Sequence, residues 1–199
     1  MGYSTILDVL GATIIGGLLL LTLLRLNAHS AENHIVYGSD KRLQESSVQL
    51  AGLIENDFRK IGYCADPTKI SDTTSKVISA DVSSISFLTD VDKDGNPDVI
   101  KYFLSDTTAL SMTKNPRDKI LYRQINSQTP LNVNSNIVAF TIKYFDVFNE
   151  ELSAPVAQTS LVAHLEVSFK VEDPEAYNEQ YSQAYWQQVR LSSRNIGKR

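Results

Sequence analysis

The stretch Asp90-Val91-Asp92-Lys93-Asp94-Gly95-Asn96-Pro97-Asp98 concentrates oxygen donors at alternating positions. Acids at the first, third and fifth places followed by glycine have the spacing that opens an EF-hand calcium loop, in which hard oxygen ligands converge because the glycine permits a sharp turn. Asn96 can add its backbone carbonyl, and Asp98 can bind directly or through water. The twelfth position is Lys101, where that motif places a bidentate Glu, so affinity should be weaker. The flanks read as strands rather than helices, and the expectation is a β-hairpin turn holding Ca2+ in a structural role. Its expected ligands are Asp90, Asp92, Asp94, Asn96 and Asp98. The alternative is an Asp/Gly/Asn turn whose charges are merely solvated. Mutual repulsion of three alternating aspartates favours the metal.

Catalytic chemistry finds few candidates. His29, His34 and His164 sit in no recognisable motif, and GxSxG, HExxH, Gly-rich phosphate loops and CxxC are lacking. Asp57 and Arg59 read as helix-surface or helix-to-sheet contacts rather than an acid/base pair. No enzyme is expected. The single cysteine, Cys64, excludes an intrachain disulfide and any multi-cysteine metal site, and reads as a buried small hydrophobe. Tyrosines such as Tyr144, Tyr177, Tyr181 and Tyr185 could form a carbohydrate or protein surface and equally suit a sheet. A net charge of −4 with scattered Lys and Arg argues against a nucleic-acid partner.

The elements that position these residues begin with an apolar run, Ile6 to Leu26, interrupted only by Asp8, Arg25 and small or hydroxyl residues. A helix over that run reaches roughly 31 Å, the thickness of a bilayer's hydrocarbon core. A secretory signal peptide is the competing reading. The run exceeds the usual 7–15-residue signal core and shows neither a basic leader nor a small-x-small cleavage site, so a retained single-pass span is expected. A carboxylate inside the apolar layer costs several kcal/mol, about 2.5 to 3.5 on insertion scales, unless partnered. Asp8 therefore either reaches the interface or pairs with a cation such as a neighbouring subunit's amino terminus. Gly11, Ala12, Gly16 and Gly17 permit close helix approach, with Ala12 and Gly16 a small-xxx-small pair.

The helix should continue as an amphipathic stem, since proline is absent from the stem until Pro67. Val36, Leu43 and Leu50 recur every seven residues, with Ile54 and Ile61 beside them and Leu53 and Phe58 widening the stripe. The opposite face carries Asp40, Lys41, Glu45, Glu55, Asn56, Arg59 and Lys60. Gly62 is the natural stop. The stripe is read as facing a core rather than as a free coiled coil, which would need more heptads. From Lys76 onward, short Val/Ile/Phe/Tyr segments read as strands: 76–80, 85–89, 99–104, 120–125, 137–148, 160–171 and 186–191. Leu161, Ala163, Leu165, Val167 and Phe169 alternate with mostly polar neighbours, so one sheet face is buried, with the stem as its cover. Polar, proline-containing segments 105–117 and 172–183 read as irregular loops. The fold class is α+β: a long N-terminal helix packed on an antiparallel sheet. Residues 1–27 form the membrane segment, 28–63 the stem, and 64–199 a β-rich head.

Together these features resemble the type IV pilin superfamily, most closely its larger minor pilins and pseudopilins of the pilus W and secretion J kinds. The resemblance covers nearly the whole chain. It rests on the apolar N-terminal helix with an early acid, on Leu53-Ile54-Glu55-Asn56-Asp57-Phe58-Arg59-Lys60-Ile61-Gly62-Tyr63, and on Ile85-Ser86-Phe87 before the Asp-rich loop. It continues through Val99-Ile100-Lys101-Tyr102-Phe103-Leu104, Val138-Ala139-Phe140-Thr141-Ile142-Lys143-Tyr144-Phe145-Asp146 and Val189-Arg190-Leu191-Ser192-Ser193-Arg194-Asn195. The resemblance implies insertion in the inner membrane with the head domain outside, processing by a prepilin peptidase, N-methylation, and extraction by an assembly platform into a helical filament of pilin subunits. Cleavage between Gly2 and Tyr3 is the implied processing site. Asp8, one residue later than the family pattern, is the implied partner of an adjacent amino terminus.

The expected function is thus a structural filament subunit of a type IV pilus or type II secretion system, minor or priming rather than bulk. A membrane-anchored extracytoplasmic domain that binds calcium or another ligand is the rival from a different class. A major subunit of an unusual extracellular filament is a third reading.

Overall fold

The computed structural model describes residues 2–71, 75–110, 113–175, 181–191 and 196. A single helix, α1 (Gly2–Arg59), opens the chain. Within the apolar run the Thr13 and Thr22 hydroxyls donate to the carbonyls of Val9 and Leu19, both at 2.8 Å, so these side chains hide their polarity inside the helix. The chain divides into two compact units, Met1–Lys41 and Arg42–Arg199. The boundary falls inside the expected 28–63 stem, because only from Leu43 onward do successive turns bury apolar residues against the sheet.

In the first unit, the side chains from Ile6 to Leu26 that are large and apolar are all more than half exposed, Leu7 at 69%. Protein covers no side of this segment among the described residues. By length and composition it suits a bilayer crossing.

In the second unit α1 lays Leu43, Leu50, Ala51, Ile54 and Phe58 into the core. Phe58 meets Phe87 and Tyr102 edge-on, with centroids 5.4 and 5.6 Å away. Such contacts add about 0.5–1.5 kcal/mol each beyond area burial. The helix ends at Arg59, and turns lead to Gly62, whose φ of +73° suits glycine. Its N–H donates to the Leu88 carbonyl at 2.7 Å, splicing the stem's end to the sheet.

The strands are β1 (Val77–Ala80), β2 (Ser84–Thr89), β3 (Asp98–Leu104), β4 (Lys119–Ile125), β5 (Leu131–Phe145), β6 (Glu151–Leu152), β7 (His164–Glu172) and β8 (Gln183–Leu191). They form one antiparallel sheet in the order β1-β2-β3-β4-β5-β7-β8, with β6 pairing the end of β5. Sequential strands are neighbours throughout apart from that short excursion, the arrangement short hairpin connections favour. Leu165, Val167, Phe169 and Val171 point into the core, as their alternation predicts.

Several expectations are corrected. Residues 160–163 are not strand: a 3-10 turn occupies Thr159–Leu161, which leaves Leu161 exposed and buries Val162 instead. β5 starts at Leu131, where Asn132, Asn134 and Asn136 look like turn residues, yet Tyr122↔Asn132 and Leu121↔Asn134 pairing holds them in the ladder. It stops at Phe145, because the Asp146 carboxylate accepts the Phe148 and Glu150 N–H groups at 2.9 and 2.8 Å and turns the chain. Cys64 is half-buried rather than buried. Tyr144 is a core residue whose hydroxyl donates to the Asp81 carbonyl at 2.7 Å, while Tyr185 is exposed. Tyr177 and residues 192–195 lie outside the described residues.

Candidate metal centre

The acidic loop joins β2 to β3 as a hairpin, as its flanking strand patterns predict. Lys93 and Gly95 both take left-handed backbone, φ +65° and +82°. Gly95 is buried against Asp66, whose Cβ lies 3.4 Å from where a side-chain carbon would sit. The turn thus folds back onto the chain just after the stem.

Asp90 anchors that turn. It is 1% exposed, and its carboxylate accepts the N–H groups of Lys93 (2.7 Å), Ala65 (2.9 Å) and Gly95 (3.0 Å). The Cys64 thiol reaches the Gly95 carbonyl at 3.4 Å and the Asp90 carboxylate at 3.9 Å. The Ala65 N–H, then those of Gly95 and Lys93, hold the Asp90 carboxyl below its ordinary range despite burial. It is a fixed anion at neutral pH.

One oxygen each from Asp90, Asp92 and Asp98 lies within 4.8 Å of the others. Oxygens bound to one Ca2+ at the usual distance of about 2.4 Å are never more than about 4.8 Å apart, a condition that these three meet. Asp98 is itself positioned, accepting the Val91 N–H at 3.0 Å and the Asn126 side-chain amide at 2.7 Å. Asp92 accepts the Asp94 N–H at 3.1 Å and stands exposed. Hard carboxylate oxygens of this kind fit Ca2+ or Mg2+ rather than zinc or copper.

The expected ligands divide. Asp94 falls outside the group: its carboxylate accepts the Asn96 backbone N–H at 2.7 Å and its side-chain amide at 2.9 Å, bonds that do not involve the Asn96 backbone carbonyl, its expected ligand atom. The Asn96 side chain, followed by its backbone N–H, also holds the Asp94 carboxyl below its ordinary range. Lys69 donates to the Asn96 side-chain oxygen. The loop therefore departs from the 1-3-5 alternation that its sequence suggests.

Two other candidates have definite surroundings. Asp57, 6% exposed at its side chain, accepts the Tyr102 hydroxyl at 2.7 Å and the Arg123 Nε at 2.6 Å. This is a helix-to-sheet contact, whereas Arg59 pairs with Glu55 one helical turn back, at 2.6 Å. Burial opposes charge on Arg123, but the hydrogen bond and charge of Asp57 more than offset it and raise its pKa. Tyr102 and Arg123 escaped sequence reasoning. The available signal was an acid, Asp57, three residues after Ile54 and four before Ile61 on the apolar stripe.

In the first unit, Asp8, Ala12 and Gly16 follow at four-residue intervals on one exposed helix face. Nothing lies within 4 Å of a Cβ built on Gly11, Gly16 or Gly17. Gly2 and Tyr3 are already helical, and Tyr3 is exposed. No protein-family model matches the chain, and no curated protein matches it significantly.

Proposed function

We propose that the chain is a structural subunit of a type IV pilus-like or type II secretion filament, a minor or priming component with no catalytic step of its own. The observation that supports this most is the change of character along one continuous helix. Its first part exposes apolar side chains on every side around a single acid, and its last part is the amphipathic cover of an antiparallel sheet. A solitary anchor needs no acid there. Alignment of Asp8 with Ala12 and Gly16 gives a close-packing face with a carboxylate at its end, suited to the amino terminus of a second subunit.

On this reading the chain sits in the inner membrane with the sheet domain outside, is processed between Gly2 and Tyr3 by a prepilin peptidase, N-methylated, and drawn by an assembly platform among other pilin subunits to the cell surface. Ca2+ is the ion proposed for Asp90, Asp92 and Asp98, where it would brace the β2–β3 turn. Three carboxylates leave several coordination sites to water, which suits the roughly 10⁻⁴–10⁻³ M affinities of extracellular modules.

Mass spectrometry of the N-terminal peptide from cell membranes and from sheared extracellular material tests the proposal. A chain starting at N-methylated Tyr3 in the sheared fraction is the expected result. An intact Met1 confined to membranes would overturn it and favour an anchored calcium-binding domain, the reading for which the acid group alone speaks.

A further inference from the structure

At the end of the sheet opposite the acidic loop lies another buried acid, Asp118, placed immediately before β4. It is 1% exposed, and among the described residues neither of its carboxylate oxygens has a hydrogen-bond partner. The nearby Thr113 hydroxyl has one hydrogen, which it gives to the Leu110 carbonyl at 2.9 Å. An ionised carboxylate in such a place is costly, whereas the neutral acid is tolerated.

The surroundings are a polar clasp. Lys119 of β4 and Val171 of β7 both pair with Ile137 of β5, so Asp118, just before that level, and Glu172, just after it, flank the strand one residue either way from Ile137. The ladder is irregular on both flanks there, after Lys119 and after Ile137. Side chains bridge the gap. Asn115, itself buried, donates to Glu172 at 3.0 Å, and Arg117 and Lys170 pair with Glu172 at 2.8 and 2.9 Å. Beyond them Lys114 pairs with Glu175 at 3.2 Å, and Tyr181 donates to the Lys114 carbonyl at 3.0 Å.

The charged groups facing Asp118 are Glu172 and Asp173 from the end of β7 and Arg117 from its own loop, with Lys170 reaching Glu172. With Asp118 neutral, two anions face two cations. Ionising it adds an uncompensated negative charge between strands that the clasp holds together.

We propose that Asp118 is a proton-sensitive lock: protonated, it lets residues 113–118 close on the end of β7, and ionised, it loosens that clasp together with the contacts of Lys114 to Glu175 and Tyr181. This device is independent of the filament reading. Burial, together with Glu172 and Asp173 and against Thr113 and Arg117, pushes the Asp118 carboxyl up to about 6 from 3.8. A group raised in the closed state stabilises it fully below the open-state value and loses that contribution as pH rises through about 6. A pKa raised by about 2 in the closed state caps the pH-driven change in the opening constant at about 100-fold. Glu172 works in the opposite direction. Burial opposes its charge, but Lys170, Asn115 and Arg117 hold its carboxyl low, so its protonation loosens the clasp in acid.

The test is amide hydrogen exchange on the full chain in detergent micelles, each peptide divided by its intrinsic rate at that pH. Opening of 113–118 and 170–175 should rise about 10-fold between pH 4.5 and 7.5 in the unmodified chain, whereas in Asp118→Asn, where only Glu172 titrates, it should stay low and show no rise with pH. Equal pH dependence in both, no dependence in either, or loosening toward acid in the unmodified chain overturns the proposal. If Asp118→Asn does not fold, carboxyl-carbon NMR of the unmodified chain decides: an Asp118 inflection near 6 supports the lock, and one near 4 refutes it.

Discussion

Replacing Asp57 with alanine should cost the fold about 3 kcal/mol, and most of that cost should vanish when Arg123 is removed as well. Asp57 and Arg123 are 6% and 13% exposed at their side chains, and the carboxylate also takes the Tyr102 hydroxyl. Removing one partner from a buried pair strands the other charge, at about 3–5 kcal/mol. The Arg123 side chain is the slightly more open of the two, which places the estimate at the lower end. Arg123→Leu should cost a similar amount, since it leaves an anion with one neutral donor. Tyr102→Phe removes only that donor, at about 1 kcal/mol. In Asp57→Ala/Arg123→Leu no charge is stranded, so the double variant should be less destabilised than the two single losses summed, by about 3 kcal/mol. The assay is urea unfolding of the full chain in micelles, followed by fluorescence of the single tryptophan, Trp186, stacked 5.0 Å from Phe169 between β8 and β7. Losses that add to within about 0.5 kcal/mol would refute the reasoning, because independent sites behave that way.

Calcium at 100-fold excess over its dissociation constant should stabilise the chain by about 2.7 kcal/mol, read as a rise in thermal midpoint that Asp98→Asn abolishes. An unchanged midpoint at millimolar calcium would sink the metal assignment. Gly95→Ala should destabilise by about 1–2 kcal/mol, as its φ of +82° is unfavourable for a side chain even though the added carbon would meet Asp66 at an ordinary 3.4 Å; an unaltered urea midpoint would show that the turn relaxes freely. Asp8→Ala should leave the chain in membranes and eliminate it from sheared filaments, measured by immunoblot of both fractions. Normal recovery in the sheared fraction would return Asp8 to an interfacial role.

Some of this protein is written in local periodicity. An apolar run of bilayer length, a seven-residue recurrence through Leu43 and Leu50, and the alternation from Leu165 to Phe169 need only neighbouring residues to be recognised, since each follows from the geometry of one helix or one strand. The same holds for the hairpin at Asp90–Asp98, where Gly95 and the acids signal a turn. Register across the sheet and the return of the helix onto it decided the rest. They brought Tyr102 and Arg123, 45 and 66 residues along the chain, to Asp57. They set the Ala65 N–H against Asp90 and Asn126 against Asp98, so that Asp98 joins Asp90 and Asp92 while Asp94 turns to Asn96. They also bring Asp118 and Glu172 to the two flanks of an irregular β5 beside Ile137. Local pattern specifies which face of an element is apolar, but a polar side chain's partner depends on which strands lie beside it, and that is a property of the assembled sheet alone.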